Sequence, residues 1–476
     1  MKRLYLLAAA LLCAGSLMAR TVTVRGRVSC GDKGIAGVVV TDGEHFAATD
    51  ARGRYALEAD DENRFVYLSV PAGYHAPVEK GVVKHYLPMP SGGGRCDFAL
   101  TAAGDETRHG FIAIADPQIW ARKEFRLLGE AADDIAATVR EYPDRPFFGI
   151  CCGDIVSHDH ALYGEYNDVM ERTGIAFRNA MGNHDMKVYG RSFETSFEAF
   201  EATYGPTYYS FNVGKVHYAV LNDNFFIGRD YFYIGYLAER QLRWLERDLS
   251  YVPAGSTVVV CFHIPSTCEE QDRKQFKYQT AGLTMTNHRG LYAILKPYRA
   301  HILSGHTHTT YNQRITDSLY EHVIPALSGA WWQGELCTDG TPRGYGVFTV
   351  DGSEITWYYR STGRPADCQM TLYDGRDFAQ FDGFVVADIW ASDPAWRVEM
   401  FVDGRSAGEM ERFETYDPAA QRMYASTEHM DHKWIYPSKS DHFYRLPRPE
   451  AGRIEVVATD PFGREYRQTL NANPDR

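Results

Sequence analysis

Five apolar runs in the middle of this chain each end in a residue type able to hold a metal ion. That repetition constrains the fold more than any other feature. FIAIA leads into Asp116, Pro117 and Gln118, and FFGICC leads into Gly153 and Asp154. FRNAM leads into Gly182, Asn183, His184 and Asp185, STVVVCF into His263, and AHILS into Gly305, His306, Thr307 and His308. Short apolar runs bounded by glycine and polar residues read as buried strands. Between them lie helical stretches, RKEFRLLGEAADDIAATVREY (122–142) and LAERQLRWLERDL (237–249), the second with Leu242, Leu245 and Leu249 on one face. Strands alternating with helices imply an α/β layer architecture. Ligands bind beyond the carboxyl ends of strands in open α/β sheets, so the five endings should meet along one edge. YYSFNVGKVHYAVLN (208–222) reads as two strands around a Val-Gly-Lys turn, which makes the sheet mixed.

The order and spacing of these endings resemble the calcineurin-like metallophosphoesterase family, whose pattern is D-x-H, GD, GNHD, a lone His and GH-x-H. The resemblance covers roughly residues 110–350. It implies a two-sheet α/β sandwich with a dinuclear metal site. By that resemblance Asp116, Gln118, Asp154 and His308 hold one ion, and Asp154, Asn183, His263 and His306 hold the other, with Asp154 bridging. A carboxylate between two cations sets them about 3.5–4 Å apart, a spacing that clamps the attacking and leaving oxygens of an in-line displacement. Water on such an ion loses its proton near neutral pH and becomes the nucleophile. Asn183 would also touch the phosphoryl group, and His184 would serve the leaving oxygen with Asp185 fixing its tautomer. The chain departs from the family at Gln118, where the usual residue is His. An amide oxygen is a harder donor than imidazole, which favours Mn²⁺, with Mg²⁺, Fe and Zn²⁺ as the alternatives, and weakens that half of the site. Purple acid phosphatases carry a Tyr shortly after the GD motif, and Ile155, Val156 and Ser157 supply none, which sets that subgroup aside.

On either side the texture is β. TVTVRGRV, GIAGVVVTDG, RGRYALEA and RFVYLSVPAGY are short strands between glycine-rich turns, as in a small β-sandwich. The pattern GVVVTDG…TDARGRYAL resembles transthyretin-like or carboxypeptidase-regulatory-like accessory domains. After Ser361 come FDGFVVADIWA, AWRVEMFVDGR, GRIEVVATD and REYRQTL, a second β-rich region. The divisions expected are a leader over 1–19, a β-sandwich over 20–104, the α/β domain over 105–362 and a C-terminal β domain over 363–476. Lys2, Arg3, an apolar run from Leu4 to Leu12 and small residues up to Ala19 form a secretory signal, which makes the protein periplasmic or secreted. Export permits disulfides, and Cys30 with Cys96 is a candidate pair, while Cys151, Cys152 and Cys261 read as buried thiols.

Downstream of the last motif, SGAWWQGELCTDGTPRGYGVF (328–348) reads as a substrate-pocket wall, with Trp331, Trp332, Asp339 and Tyr345 as contacts. Core packing is the competing reading for both tryptophans. His158 and His160 read as loop residues at the site mouth, His217 as structural, and His288 as either a substrate contact or a helix cap. The net charge is −12 without a basic cluster, which disfavours polymeric nucleic acid as partner but not a small phosphate ester. The reading is thus an exported dinuclear-metal hydrolase of a phosphomonoester or phosphodiester, possessing no transmembrane span. Its rivals are a catalytically weak or inactive envelope-binding protein on the same scaffold and a nucleotidase or nucleotide phosphodiesterase. Fold-level resemblance does not separate sugar phosphates, nucleotides, phospholipid head groups and envelope polymers as substrates.

Overall fold

The computed structural model describes residues 21–187, 189–228, 233–267 and 281–470. The leader, with its cut after Ala19, lies outside the described residues.

Two sheets face each other in the central region. The first is built on β1 (Arg108–Ile114), β2 (Phe147–Cys151) and β3 (Phe177–Asn179), mutually parallel. The second contains β4 (Tyr209–Val213), β5 (Val216–Val220), β6 (Thr257–Cys261), β7 (Arg299–Ser304), β8 (Tyr311–Thr316) and β9 (Leu319–Val323), in the order β4-β5-β6-β7-β9-β8. β10 (Gly344–Asp351) pairs antiparallel with β1, and β11 (Glu354–Ser361) pairs with β10, so the first sheet runs to Ser361. As the Val-Gly-Lys turn requires, β4 and β5 are antiparallel while β5, β6, β7 and β9 run parallel.

Side-chain alternation decides what each strand buries. In β1, Phe111 and Ala113 point into the space between the sheets, whereas Ile112 and Ile114 point to the outer helical layer. Phe111 stacks on Phe348 at 4.6 Å, and Phe211 stacks on Tyr218 at 4.9 Å. Each such fully buried ring contributes roughly 1.5–3 kcal/mol. The outer face is covered by α1 (Phe125–Arg140), whose Leu128, Ala131, Ala132 and Ile135 recur at helical spacing and are buried. α2 (Glu239–Leu249) covers the second sheet with Trp244, Leu245 and Leu249, and Leu242 packs beside them half-buried.

The N-terminal region pairs Thr21–Cys30 with Arg54–Asp60, and Phe65–Ser69 with Val39–Thr41 and Tyr86–Pro88. It also lends a strand outward: Val82–Val83 joins the first sheet beside β3. The C-terminal region is two four-stranded antiparallel sheets with Val385, Ala387, Val398, Met400, Val456 and Ala458 buried together. Cys30 and Cys96 are free thiols, so the candidate disulfide is not formed. Among the described residues no helix is long and apolar enough to cross a membrane.

Candidate metal centre

The five motif loops follow β1, β2, β3, β6 and β7 directly, and the backbone there is unusual. Positive φ at a residue other than glycine is uncommon and costs energy. Among the described residues ten show it, and eight belong to this site: Asp116, Gln118, Asp154, His158, His306, His308, Trp331 and Trp332. The glycines of GD, GNHD and GH-x-H explain themselves by crowding. A Cβ on Gly182 would lie 2.1 Å from Asp154 Oδ1, and one on Gly305 would lie 2.6 Å from Asp116 Oδ2.

The side chains converge on two adjoining points. Around the first, His263 Nε2 lies 3.3 Å from Asp154 Oδ2, 3.0 Å from Asn183 Oδ1 and 3.1 Å from His306 Nδ1. Around the second, His308 Nε2 lies 3.7 Å from Asp116 Oδ1. Gln118 stands beside them with its Nε2–H donating to Asp154 Oδ2 at 2.9 Å and its Oε1 left to serve as ligand atom. Asp154 Oδ2 thus touches both groups, near His263 Nε2 on one side and accepting from Gln118 on the other. Donors sharing an ion at about 2.0–2.2 Å stand about 3 Å apart, the spacing seen around the first point.

Backbone carbonyls show which atoms are lone pairs. A carbonyl oxygen only accepts, so a ring nitrogen facing one must carry the proton. His263 Nδ1 faces Cys152 O at 2.8 Å, His306 Nε2 faces Gly282 O at 2.8 Å, and His308 Nδ1 faces Gly329 O at 2.7 Å. In the neutral rings, the opposite nitrogens then present lone pairs to one another and to the oxygens of Asp154 and Asn183. Acceptors packed against acceptors repel unless a cation lies between them. Asp116 Oδ1 and Gln118 Oε1 are likewise buried without a hydrogen-bond partner. The residues present fit a pair of cations, with histidines oriented from behind as metal-ligating histidines usually are.

The electrostatics agree. Burial opposes protonation of His263, but Asp154, Asp116 and Asp223 override it and raise the ring to about 10, so the cluster binds positive charge strongly. Burial, with Asp154 adding repulsion against the pull of His263, raises Asp116 to about 8. Burial pushes His306 down to about 3 and His308 to about 4, keeping both neutral as ligands must be.

His184 occupies the open side. Its side chain is 20% exposed, against 2% or less for Asp116, Asp154, His263 and His308. Its Nε2 stands 3.9 Å from Asp154 Oδ2, and burial lowers it to about 3. The structure corrects the part expected of Asp185. Its carboxylate accepts from the N–H groups of Gly182, Ile155 and Val156 and from the Tyr163 hydroxyl. That ties the GNHD loop to the GD loop, and the group 3.2 Å from His184 Nδ1 is Ser157 Oγ.

The 328–348 loop also differs from expectation. Trp332 is buried among core side chains and donates its Nε1–H to Pro117 O at 2.8 Å, holding the first ligand loop from behind. Tyr345 is fully buried, with its hydroxyl on Thr138 and Asp134. Asp339 is fully buried too: it accepts from Thr310 N at 2.6 Å and Thr341 N at 3.0 Å, and His442 Nε2 lies 3.3 Å away. None of these three lines an open cleft; apolar and aromatic composition suits an interior as well as a pocket. Trp331 alone stays at the site, its ring 3.8 Å from that of His308 and stacked on it.

His158 sits against the His184 ring at 4.4 Å. His288 opens the helix His288–Leu295 with Nδ1 on Met285 O, and His217 is buried between Asn212 and Asp248. Sequence reasoning missed Asp223, whose buried carboxylate accepts from the N–H groups of His263 and Ile264. The residue pair Asn222-Asp223 at the end of an apolar strand was a signal that could have found it.

A family model described as Calcineurin-like phosphoesterase matches residues 110–310. Models described as the N terminal and the C terminal of Calcineurin-like phosphoesterase match residues 22–103 and 321–466. The human Serine/threonine-protein phosphatase CPPED1 is 26% identical over 284 residues, 53% of this chain and 83% of that protein. A dimetal phosphatase from Danio rerio aligns at 14% identity and TM-score 0.38, over 53% of this chain and 96% of its own. The purple acid phosphatase PPD1 of yellow lupin (Lupinus luteus) aligns at 10% identity and TM-score 0.39, over 72% and 73%.

Proposed function

This chain belongs to the calcineurin-like phosphoesterase family of metal-dependent phosphoester hydrolases, and from that premise we propose that it is exported and cleaves a small phosphomonoester or phosphodiester at the Asp116–His308 site. The observation that carries the reading is the convergence of His263, His306, Asn183 and Asp154 on one point, where positive charge is held strongly and a metal ion can replace the proton on His263. Asp116, Gln118, Asp154 and His308 would hold one ion, and Asp154, Asn183, His263 and His306 the other. When bound, the two ions supply Lewis acidity for the phosphoryl oxygens and lower the pKa of water toward neutrality. Gln118 brings a neutral oxygen donor, which tilts the pair toward Mn²⁺ or Mg²⁺ over Zn²⁺.

The chain's own residues do the rest. Asn183 sits where a phosphoryl oxygen would be held, with its Oδ1 facing His263. His184 is the ring that an incoming ester meets, being with His306 one of the two partly exposed histidines of the set. Burial keeps it neutral, and the approach of a phosphate anion raises its basicity, so Nε2 can carry a proton to the departing alcohol oxygen. Ser157 steadies Nδ1 meanwhile. The leader sequence and the net charge of −12 support an exported enzyme acting on small esters rather than on nucleic acid.

The test strips the purified full chain with chelator and reloads it with Mn²⁺, Mg²⁺ or Zn²⁺. Turnover of p-nitrophenyl phosphate and of bis(p-nitrophenyl) phosphate is then measured beside metal content. Two equivalents of metal and chelator-sensitive turnover of at least one ester are expected. Absence of both would leave a scaffold that binds without cleaving. Cell fractionation checks export, and recovery in the cytoplasm would refute it.

A further inference from the structure

Two indoles stand half in solvent close to the metal centre: Trp120 is 50% exposed and Trp434 is 51% exposed. Large apolar surface left in water next to a functional site marks a place where something binds. The two are joined through the His432 ring, 4.9 Å from Trp120 and 5.5 Å from Trp434. Trp434 meets Trp331 at 4.3 Å with ring planes 75° apart, and Trp331 lies parallel to the ligand His308. A continuous row of rings thus runs from a metal ligand out to solvent.

Both ends of the row are built with care. Trp331 and Trp332 hold φ of 52° and 60°, two bulky residues in succession in the left-handed region, which persists only where the surroundings force it. The Trp332 indole anchored on Pro117 O fixes the turn that lays Trp331 over His308. Trp120 is held by its backbone N–H on Glu124 Oε2 at 2.6 Å. Trp434 comes from the C-terminal region, on a segment pinned to the catalytic domain by Tyr424 on Leu336 O, Asp431 N on Gln333 Oε1, Ser438 N on Thr338 O, and the Lys123–Asp431 ion pair. The segment is fastened on both sides of Trp434, yet half of its indole is left open.

We propose that Trp434 and Trp120, with Trp331 behind them, form a stacking subsite for the alcohol part of the phosphate ester, and that this part carries a flat aromatic ring. The proposal rests on the reading that the phosphate is held at the Asp116–His308 site. Indole faces attract flat rings by dispersion and offset stacking, with little regard to ring identity. Lys123 is engaged by Asp431, so the subsite offers faces rather than a second anion site. The C-terminal domain thereby supplies part of substrate selection.

Binding of phenylphosphonate and methylphosphonate to the Mn²⁺-loaded full chain, measured by calorimetry, tests this. The wild type should bind the phenyl compound at least tenfold more tightly. In Trp434→Ala that ratio should fall below twofold with metal content unchanged, and Trp434→Phe should keep most of it. A ratio that survives Trp434→Ala overturns the subsite, as does a cyclohexyl compound binding as well as the phenyl one. If wild type binds methylphosphonate but shows no ring preference, the subsite fails and the metal-site reading stands. Should neither phosphonate bind the loaded chain, the metal-site reading fails with it.

Discussion

The two β regions that flank the catalytic domain are attached in opposite ways. The N-terminal one shares its core: Val24, Leu57, Tyr67 and Leu68 belong to the same apolar cluster as Phe111, Phe211 and Val260 between the catalytic sheets. Its Val70 bridges to Phe211, and Val82 pairs with Phe177 of β3. The C-terminal one keeps its own core, and it reaches across with a small separate apolar cluster of Ala330, Ala420, Tyr424, Met430 and Ile435 and with polar and aromatic groups. His442, bonded to Asp388 at 2.6 Å, faces Asp339, and Asp339 caps the backbone of Thr310 two residues past His308. The large shared core ties stability together, whereas the smaller apolar cluster and the directed polar contacts bear on the loops that hold ligands. One neighbour supports the fold and the other adjusts the site.

Substitutions can break this contrast at several depths. Asp154→Ala removes the carboxylate common to both donor groups, and neither flanking region can compensate. Both metals should be lost on elemental analysis, with turnover down at least about ten-thousandfold, and retained stoichiometry would count against a bridge. His184→Ala should cost at least about a hundredfold in turnover with metal content intact, since the ring serves the leaving group and binds no ion. His442→Ala leaves Asp339 buried without its charged partner. Metal affinity should weaken by about tenfold, as loss of an outer-shell partner does. Asp339→Asn should reproduce the loss, whereas Arg64→Ala on the N-terminal side should move metal affinity less than about twofold, its ion pair with Glu201 being partly exposed. Equal effects from His442 and Arg64 would erase the distinction.

The junctions should also fail at opposite ends of the pH scale. His85 packs on Tyr209 at 4.4 Å, and burial, aided by Arg178, lowers it to about 3. Its folded pKa lies below the unfolded value of about 6.5. Its contribution is therefore full above that value and is lost as pH falls toward 3, by up to about 4 kcal/mol. His442 is the reverse: burial opposes its charge, but Asp388 and Asp339 raise it to about 10. The stabilisation it gives is full below about 6.5 and is lost as pH rises toward 10. Hydrogen exchange across pH should show the N-terminal junction loosening in acid and the C-terminal one in alkali. Loosening of both in the same direction would contradict the assignment.

Much of the site was legible because its donors sit where apolar runs stop. Asp116, Asp154, Asn183, His263, His306 and His308 each follow a strand, and position in the run locates them in space. The carbonyls of Cys152, Gly282 and Gly329 leave no trace of that kind, since every residue has one. Trp332 and Tyr345 looked like pocket residues because a pocket and a core draw on the same side chains; only packing separates them. His442 and Trp434 lie 103 residues beyond Asp339 and Trp331, and such pairings follow from domain docking, which no local pattern records. Asp185 was placed in the right loop with the wrong partner, because adjacency in sequence suggested His184 while its carboxylate turns to Gly182 and Tyr163.

The short strand Val82–Val83 has a bearing on how this protein tolerates trimming. It covers the side of β3 that faces away from β2, so β3 is not a sheet margin while the N-terminal region is present. A chain shortened to begin at Arg108 would leave β3 without its neighbour at Phe177, the residue paired with Val82. Bare margins recruit other chains. Self-association through this margin and the uncovered core, with loss of stability, would then be the first failure of the shortened protein.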